Sequence, residues 1–262
     1  MESDPLFSRT VEMKEGKSGT STAAEMDGTR TATATTATTT KTTTMNMPSW
    51  SQAEVDSSLS AQRPIPPNEE TKVFSWADVT DIVETNRLDL IRRKPSERVV
   101  YKAWCKDIIA AYGSITAYMC AERLRWNPLP DAETSGPVFD YCDPTPFADP
   151  RDFRILRNDW PYGSFGPEIT HLIVWSKPRI ATDPENGLVT PESRKLIDAF
   201  VNRTFVQKLE LDGSADAVEK VLWFKNWGAL QSVRGLEHIH VLVRDVPEAI
   251  IEEWTDEMRS EL

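Results

Sequence analysis

Apolar positions recur at helical spacing from residue 74 onward. The run over residues 74–94 predicts an amphipathic helix that Pro95 stops, because the residue before a proline disfavours helical backbone. A longer run over residues 96–124 predicts a second helix with a break at Gly113. The stretch 127–150 is rich in Pro, Asp and Gly, which favours a loop. Two packed helices and a wrapping loop are therefore expected here.

Beyond residue 150 the pattern changes to short apolar runs typical of β-strands. A helix separates them into pairs, since Thr190 is a suitable N-cap, Pro191 and Glu192 suit a first turn, and helical spacing continues to about Val206. The order strand, strand, helix, strand, strand predicts an α+β domain over residues 71–262, with an antiparallel sheet and flanking helices. The predicted strands cover residues 153–156, 169–175, 221–225 and 238–243, and a last surface helix covers residues 247–262.

Residues 1–70 show almost no apolar periodicity. Ten of the fourteen positions between residues 31 and 44 are threonine. Such a stretch cannot bury enough apolar surface to offset the entropy lost on ordering. We therefore expect a disordered, low-complexity N-terminal tail ahead of the domain.

The charge balance narrows the classes of partner. The chain has a net charge of -11, and its first seventy residues contain ten acidic and six basic side chains, so residues 71–262 are acidic as well. An acidic body without a stripe of Lys and Arg argues against duplex nucleic acid, whose binding depends on neutralising phosphates. A nucleotide needs only a local pocket and stays compatible with this composition.

Cysteine usage and hydropathy indicate where the protein works. The three cysteines are an odd number and lack a Cys-x-x-Cys spacing, as expected of reduced thiols inside the cell. No apolar run reaches the length of about eighteen residues that a membrane span requires, and the N-terminus lacks a hydrophobic signal segment. We expect a cytoplasmic or nuclear protein with no membrane partner.

The three histidines of the chain all lie in predicted strands. His238 and His240 form a His-x-His pattern, which places both imidazoles on one face of a strand, and His171 lies in an earlier strand. Neutral imidazole can act as base, acid, nucleophile or metal ligand. The pair therefore indicates phosphoryl chemistry, a zinc site completed by His171, or a structural histidine pair at a sheet edge. No cofactor is predicted.

Several motifs resemble the fungal N-acetylglucosamine-induced protein family. The segment 155–163 reads Ile-Leu-Arg-Asn-Asp-Trp-Pro-Tyr-Gly, and the segments 92–96, 148–150 and 223–228 also carry the resemblance. It extends from Trp76 to the C-terminus and implies a link to the amino-sugar response, without an assigned reaction.

A second set of motifs resembles the histidine-triad and galactose-1-phosphate uridylyltransferase group of nucleotide-binding enzymes. A Pro-Tyr turn precedes a His-Leu strand that ends near a lysine, and Asn-x-Gly with Gln-Ser-Val precedes the His-x-His strand. The matching residues are Asn158, Pro161, Tyr162, His171, Lys177, Asn226, Gly228, Gln231, Ser232, His238 and His240.

The second resemblance implies a histidine-triad-like sheet and a role for each matching residue. His240 would be the catalytic nucleophile on an α-phosphate and His238 its catalytic support. The residues that would bind the ligand are Asn158, Tyr162, His171, Lys177, Asn226, Gly228, Gln231 and Ser232. Gln231 or Ser232 would contact phosphate oxygens, and Lys177 and Arg157 would add positive charge. Leu242 stands where the third histidine of the triad is expected.

The expected partner is a small molecule, a nucleotide or a sugar phosphate, and two functional hypotheses follow. The first is a nucleotide or nucleotide-sugar transferase or phosphohydrolase of histidine-triad type that uses His240. The second is a non-catalytic protein that binds a sugar phosphate or nucleotide sugar in the amino-sugar response, which Leu242 favours. The oligomeric state is left open.

Overall fold

The computed structural model describes residues 70–130 and 136–255. The predicted N-terminal tail, apart from Glu70, and the end of the predicted C-terminal helix lie outside the described residues. The helices are α1 (Trp76–Glu84), α2 (Pro95–Tyr112), α3 (Ile115–Tyr118) with a π-helical continuation (Met119–Leu124), α4 (Pro191–Val201) with a π-helical continuation (Asn202–Val206), α5 (Gln207–Leu211) and α6 (Glu248–Thr255). The strands are β1 (Phe153–Arg157), β2 (Ile169–Ser176), β3 (Val221–Phe224) and β4 (Glu237–Arg244).

The first predicted helix is shorter than the apolar spacing suggested. Ser75 and Asp78 form a capping box that begins α1, but the helix ends at Glu84. Asn86 then takes a left-handed backbone with φ 53°, and the chain continues as a short 3₁₀ turn, Leu88–Leu90. The prediction of one helix to residue 94 was therefore wrong, because a left-handed residue cannot continue a right-handed helix.

Pro95 begins α2 as well as preventing helix before it, which is consistent with the tolerance of proline in a first turn. The break predicted at Gly113 is confirmed, since this glycine has φ 81° and ends α2. The helix predicted after Thr190 is also confirmed, with Thr190 accepting a hydrogen bond from the backbone of Ser193, although helical backbone continues beyond Val206 through α5.

The four strands form one antiparallel sheet in the order β1-β2-β4-β3. This confirms the predicted α+β class and places all four strands within one residue of each predicted boundary. In the central pair, β2 and β4, Ile173 lies opposite His240 and Trp175 opposite His238. Side chains alternate between the two faces along each strand, so these four residues share one face.

The two faces of the sheet are covered by different side chains. One face presents Leu172, Val174, Ile239 and Val241 to α4, α5 and α6, and this cluster is the largest apolar core. The other face carries the histidines between two smaller clusters. The first joins α1 to Phe224 and Leu242, and the second joins the π-helical segment Met119–Leu124 to Ile173 and Trp175.

None of the described helices combines the length and the apolar composition that crossing a bilayer would require.

Candidate functional site

The sheet brings the three histidines together on its second face. His171 on β2 lies next to His240 on β4, and its Nε2 is 2.9 Å from Nδ1 of His240. The rings of His238 and His240 are 5.4 Å apart, centre to centre, and all three side chains are buried. Leu242 lies directly opposite His171 across the strand pair. The third imidazole of this cluster therefore comes from the neighbouring strand and not from β4.

Two asparagines extend the histidine pair into a chain of hydrogen-bonding groups. Asn158, directly after β1, places its Nδ2 3.1 Å from Nδ1 of His171. Asn226, two residues beyond β3, places its Nδ2 3.2 Å from Nε2 of His240. The side-chain oxygen of Asn158 accepts a hydrogen bond from the backbone N–H of Trp160 at 3.0 Å. Both ring nitrogens of His240 are thus engaged.

Aromatic rings cover each imidazole. Phe224 stacks on His240 with an interplanar angle of 5° and ring centres 4.7 Å apart. Tyr162 stacks on His171 at 5.4 Å, and Trp175 lies 4.6 Å from His238. These contacts replace water around the rings, which disfavours their charged form.

Burial lowers the pKa of all three histidines. It lowers the pKa of His171 to about 3, with the charge of Arg93 acting in the same direction. It lowers the pKa of His238 to about 4, against a backbone hydrogen bond that raises it. The pKa of His240 falls well below its ordinary value through burial and through the other two imidazoles. The cluster is therefore neutral at pH 7.

A cavity of about 70 Å³ lies above the histidines. His238, His240 and Asn226 form its buried part, whereas the exposed Asp159 and Ser232 mark where it meets the surface. Its wall is mostly aromatic and apolar, with contributions from Tyr101, Trp104, Ile115, Met119, Leu156, Trp160, Tyr162, Ile173, Trp175 and Val233. Arg93, Arg157 and Asn158 complete the lining.

Arg93 supplies positive charge to this cavity. Its guanidinium lies 3.9 Å from the ring centre of Tyr101 and 5.4 Å from that of Tyr162, and Nη2 donates to the carbonyl of Trp160 at 3.2 Å. Its buried Nε has no hydrogen-bond partner, and the side chain forms no ion pair with any residue in the described ranges. Arg157, in contrast, is paired with Glu248. Arg93 is therefore a cation with donors available to a ligand.

The structure brings together most of the predicted site residues. Asn158, Tyr162, Asn226, Ser232, His238 and His240 all line the cavity. His171 lies behind His240 and contacts it directly. Gln231 supports the site from outside, because its side-chain amide donates to the backbone carbonyl of Asn226 at 2.6 Å.

Lys177 and Gly228 do not reach the cavity. The ammonium group of Lys177 lies 3.4 Å from a carboxylate oxygen of Asp152, a fully buried acid that also accepts backbone hydrogen bonds from Cys142 and Asp143. A buried carboxylate needs a positive partner, which explains why Lys177 turns away from the histidines. Gly228 begins a 3₁₀ turn beside the site.

Sequence reasoning did not find Arg93, Tyr101 and Trp104. Arg93 lies within the segment 92–96 that carries the family resemblance, and Tyr101 and Trp104 are three residues apart on α2, which places them on one helix face. This aromatic pair on one face of the helix was the available signal. Trp160 and Trp175 also line the cavity.

The arrangement gives little support to a zinc site built from the three histidines. Within the described part of the chain, the potential ligands that approach within 4.8 Å of one another in a group of three are Cys142, Asp149 and Asp152. The ammonium group of Lys177 already neutralises Asp152 in that group.

Comparison with known proteins gives a family and a fold. Residues 75–244 match the family described as "Protein of unknown function (DUF3605)". The N-acetylglucosamine-induced protein 1 of Candida albicans is 33% identical over 195 residues, covering 69% of this chain and 72% of that protein. The uncharacterized protein YPL067C of Saccharomyces cerevisiae is 26% identical over 176 residues, covering 67% and 81%. The predicted resemblance to the N-acetylglucosamine-induced family is confirmed.

A solved structure, the crystal structure of HTC1, has a similar fold, with a TM-score of 0.51 and 22% identity. The aligned region covers 72% of this chain and 97% of the HTC1 chain. These comparisons do not extend to the histidine-triad group, so that resemblance stays a prediction.

Proposed function

The chain belongs to the family described as protein of unknown function (DUF3605), and we propose that its pocket binds a sugar phosphate or nucleotide sugar and transfers or hydrolyses the phosphoryl or nucleotidyl group. The observation that carries this proposal is that Arg93, His238 and His240 line one cavity. A guanidinium binds phosphate oxygens in a bidentate manner. A neutral imidazole beside it is available as a nucleophile or proton carrier.

The size of the cavity favours a phosphoryl group at its buried end. A volume of about 70 Å³ is well below the roughly 300 Å³ or more of pockets that enclose whole drug-sized ligands. The rest of the ligand would extend toward the exposed end, past Trp104 and Trp160. Their ring faces offer apolar surface against which a sugar or base can pack.

The name of the Candida albicans relative suggests which ligands to examine first. That protein is described as induced by N-acetylglucosamine. Amino-sugar phosphates and nucleotide-linked amino sugars combine a sugar ring for the aromatic wall with a phosphate for Arg93. We therefore place N-acetylglucosamine 6-phosphate and UDP-N-acetylglucosamine at the head of a ligand panel.

Ligand binding without turnover is the second candidate function. In the structure the predicted nucleophile, His240, has Nδ1 at 2.9 Å from His171 and Nε2 at 3.2 Å from Asn226. A nitrogen engaged in this way has no lone pair directed at a ligand. This observation favours a sensor that recognises the phosphate and releases the ligand unchanged.

Calorimetry on the full-length protein tests the binding proposal. We expect the two phosphorylated ligands to bind at least about tenfold more tightly than N-acetylglucosamine, about 1.4 kcal/mol, because they add the contact to Arg93. Arg93→Met should remove that preference. Arg87→Met is the matched control, since Arg87 forms an exposed ion pair with Asp81 away from the cavity.

Two outcomes would contradict the binding proposal: equal affinity with and without phosphate, or the same affinities in the Arg93 and Arg87 variants. Phosphorus NMR of the same mixtures separates the two functions, because turnover gives a new phosphorus signal and binding alone does not.

A further inference from the structure

A backbone group outside the histidine cluster decides which atoms donate and which accept in its hydrogen bonds. Trp160 donates its backbone N–H to Oδ1 of Asn158, which fixes the orientation of that amide. The other end of the amide, Nδ2, therefore faces His171 and can only donate. This Nδ2 lies 3.1 Å from Nδ1 of His171 and 3.4 Å from its Nε2, so the nearer nitrogen, Nδ1, accepts the bond and the proton is on Nε2.

The direction continues into His240. Nε2–H of His171 donates to Nδ1 of His240, 2.9 Å away, which leaves the proton of His240 on its Nε2. As placed, the group that faces this N–H is Nδ2 of Asn226, 3.2 Å from Nε2 of His240, so two donors would oppose each other unless the amide turns over. Two groups can accept the hydrogen bond from Nε2–H of His240. One is the amide oxygen of Asn226, after the amide rotates by half a turn, and the other is an oxygen of a ligand. His240 therefore presents a donor to the cavity, not a lone pair.

His238 has the opposite arrangement. Its Nδ1 lies 2.8 Å from the backbone carbonyl of Leu236, and a carbonyl can only accept, so the proton is on Nδ1. Its Nε2 then holds a lone pair. Within residues 70–130 and 136–255 no group forms a hydrogen bond with this Nε2. His238 is itself buried, lines the cavity and lies against Trp175.

We propose that His238 is the nucleophile of this site and that His240 is a hydrogen-bond donor to the phosphoryl oxygens, held in that form by Asn158 and His171. This proposal rests on the function proposed above. It reverses the roles that the His-x-His motif suggested. Asn158 and His171 act as positioning residues, because they reach the ligand only through His240.

The chemical step balances with water as the second reactant. The Nε2 lone pair of His238 forms a bond to phosphorus, and the bond from phosphorus to the leaving oxygen breaks, with both electrons going to the leaving group. Nδ1 keeps its proton, so the intermediate is a cationic imidazolium whose charge the phosphoryl oxygens offset. Water, or an acceptor hydroxyl in a transferase, then attacks phosphorus, the bond to nitrogen breaks, and Nε2 regains its lone pair. The attacking oxygen releases one proton to solvent and the leaving oxygen takes one up from solvent, so the protons balance over the two steps.

The protonation pattern can be measured without ligand. Proton–nitrogen correlation NMR on the full-length protein with nitrogen-15 in its three histidines reports which ring nitrogen carries hydrogen. We expect hydrogen on Nδ1 of His238 and on Nε2 of His171 and His240. Hydrogen on Nδ1 of His240 would overturn the donor assignment, whatever the ligand proves to be.

A rapid-quench experiment identifies the nucleophile. The protein is mixed with N-acetylglucosamine 6-phosphate labelled with phosphorus-32, or with UDP-N-acetylglucosamine labelled at the phosphate next to uridine, and the reaction is then quenched. Alkaline digestion and mass spectrometry should find the label on His238. His240→Gln keeps an N–H donor and should still label His238, more slowly. Label on His240 in the wild type would overturn the inference and leave the proposed function standing.

Two further outcomes separate the two proposals. Product formed without any labelled histidine would overturn the nucleophile assignment alone. If neither product nor label forms, turnover itself is contradicted as the function. Because the wild-type protein answers each of these questions, a variant that fails to fold does not weaken the test.

Discussion

At the scale of single residues, the site depends on neutral histidines held in defined protonation forms. Burial is the largest of the causes that keep His171, His238 and His240 uncharged at neutral pH. It does not decide which nitrogen carries the proton. The backbone decides that, through the N–H of Trp160 acting on Asn158 and the carbonyl of Leu236 acting on His238. Two main-chain groups thus set a donor and an acceptor side by side.

Replacing Asn158 by aspartate should reverse the hydrogen-bond chain. A carboxylate can still accept from Trp160, but its second oxygen would accept from His171 where Nδ2 of Asn158 now donates. The proton of His171 would move to Nδ1, and the pKa of His171 would rise because the negative charge favours the charged form. Histidine NMR should then show hydrogen on Nδ1 of His240.

Asn158→Ala is the comparison for that substitution. It removes the donor without adding an acceptor and should cost about 1–3 kcal/mol of stability, since a buried ring nitrogen loses its partner. An unchanged NMR pattern in Asn158→Asp would contradict the proposed direction of the chain.

At the scale of elements, the sheet was predictable and the cavity was not. The apolar run of β4 predicts the strand, and the two-residue spacing of His238 and His240 places both on one face, although all residues from His238 to Val243 are buried. The contact between His171 and His240 depends on the register of β2 against β4, which periodicity does not encode. The end of α1 was missed because the left-handed backbone at Asn86 breaks a run whose apolar spacing continues.

The rest of the site depends on packing between distant elements. Arg93 and Tyr101 reach the cavity because the start of α2 docks against the turn after β1, where Arg93 donates to Trp160 and Tyr101 contacts its ring. Lys177 was expected in the site from its position after β2, but the buried carboxylate of Asp152 attracts it. Neither result can be read from local spacing, because both depend on which groups lie nearby in the folded chain.

Gly163 controls how α2 meets that turn. Its N–H donates to Oε2 of Glu97 at 3.2 Å, and the same oxygen accepts from the backbone of Lys94 at the start of α2. A Cβ at Gly163 would lie 1.6 Å from the other carboxylate oxygen. Gly163→Ala should therefore expel Glu97, cost about 1–3 kcal/mol in the free energy of unfolding, and weaken ligand binding by displacing Trp160 and Tyr162.

Gly228→Ala provides the matched control for Gly163→Ala. A Cβ at Gly228 would meet nothing within 4 Å, and the backbone there is not left-handed, so the change should stay within about 0.5 kcal/mol. Urea unfolding and calorimetry on both variants measure these effects. Equal behaviour of the two variants would show that the turn does not depend on Glu97.

At the scale of the whole molecule, the sheet separates the main apolar core, on one face, from the candidate site, on the other. The face toward α4, α5 and α6 is apolar and fully packed, whereas the opposite face buries three titratable rings between its two smaller clusters. Placing neutral imidazoles in a folded interior couples folding to pH, because the unfolded chain can protonate them freely. The molecule should therefore lose stability in a pH range where most proteins are still near their optimum.

The sign and size of that loss follow from the pKa values. In the unfolded chain a histidine has a pKa near 6.5, whereas folding lowers it to about 4 for His238 and about 3 for His171. Below pH 6.5 the unfolded state binds more protons, so stability falls as pH decreases. Each histidine that stays neutral contributes about 1.4 kcal/mol per pH unit, or about 2 kcal/mol between pH 6.5 and 5.

Urea unfolding at several pH values measures this dependence. The carboxylates whose pKa folding lowers, such as Asp149, have unfolded values near 4, so their contribution is lost below pH 5 and leaves the histidine range clear. His238→Gln should reduce the slope between pH 6.5 and 5 by the share of one histidine, even if it also lowers stability at pH 7. A free energy of unfolding that is constant over this range would mean that the imidazoles take up protons inside the fold as readily as in the unfolded chain, which would contradict the lowered pKa values of His171 and His238.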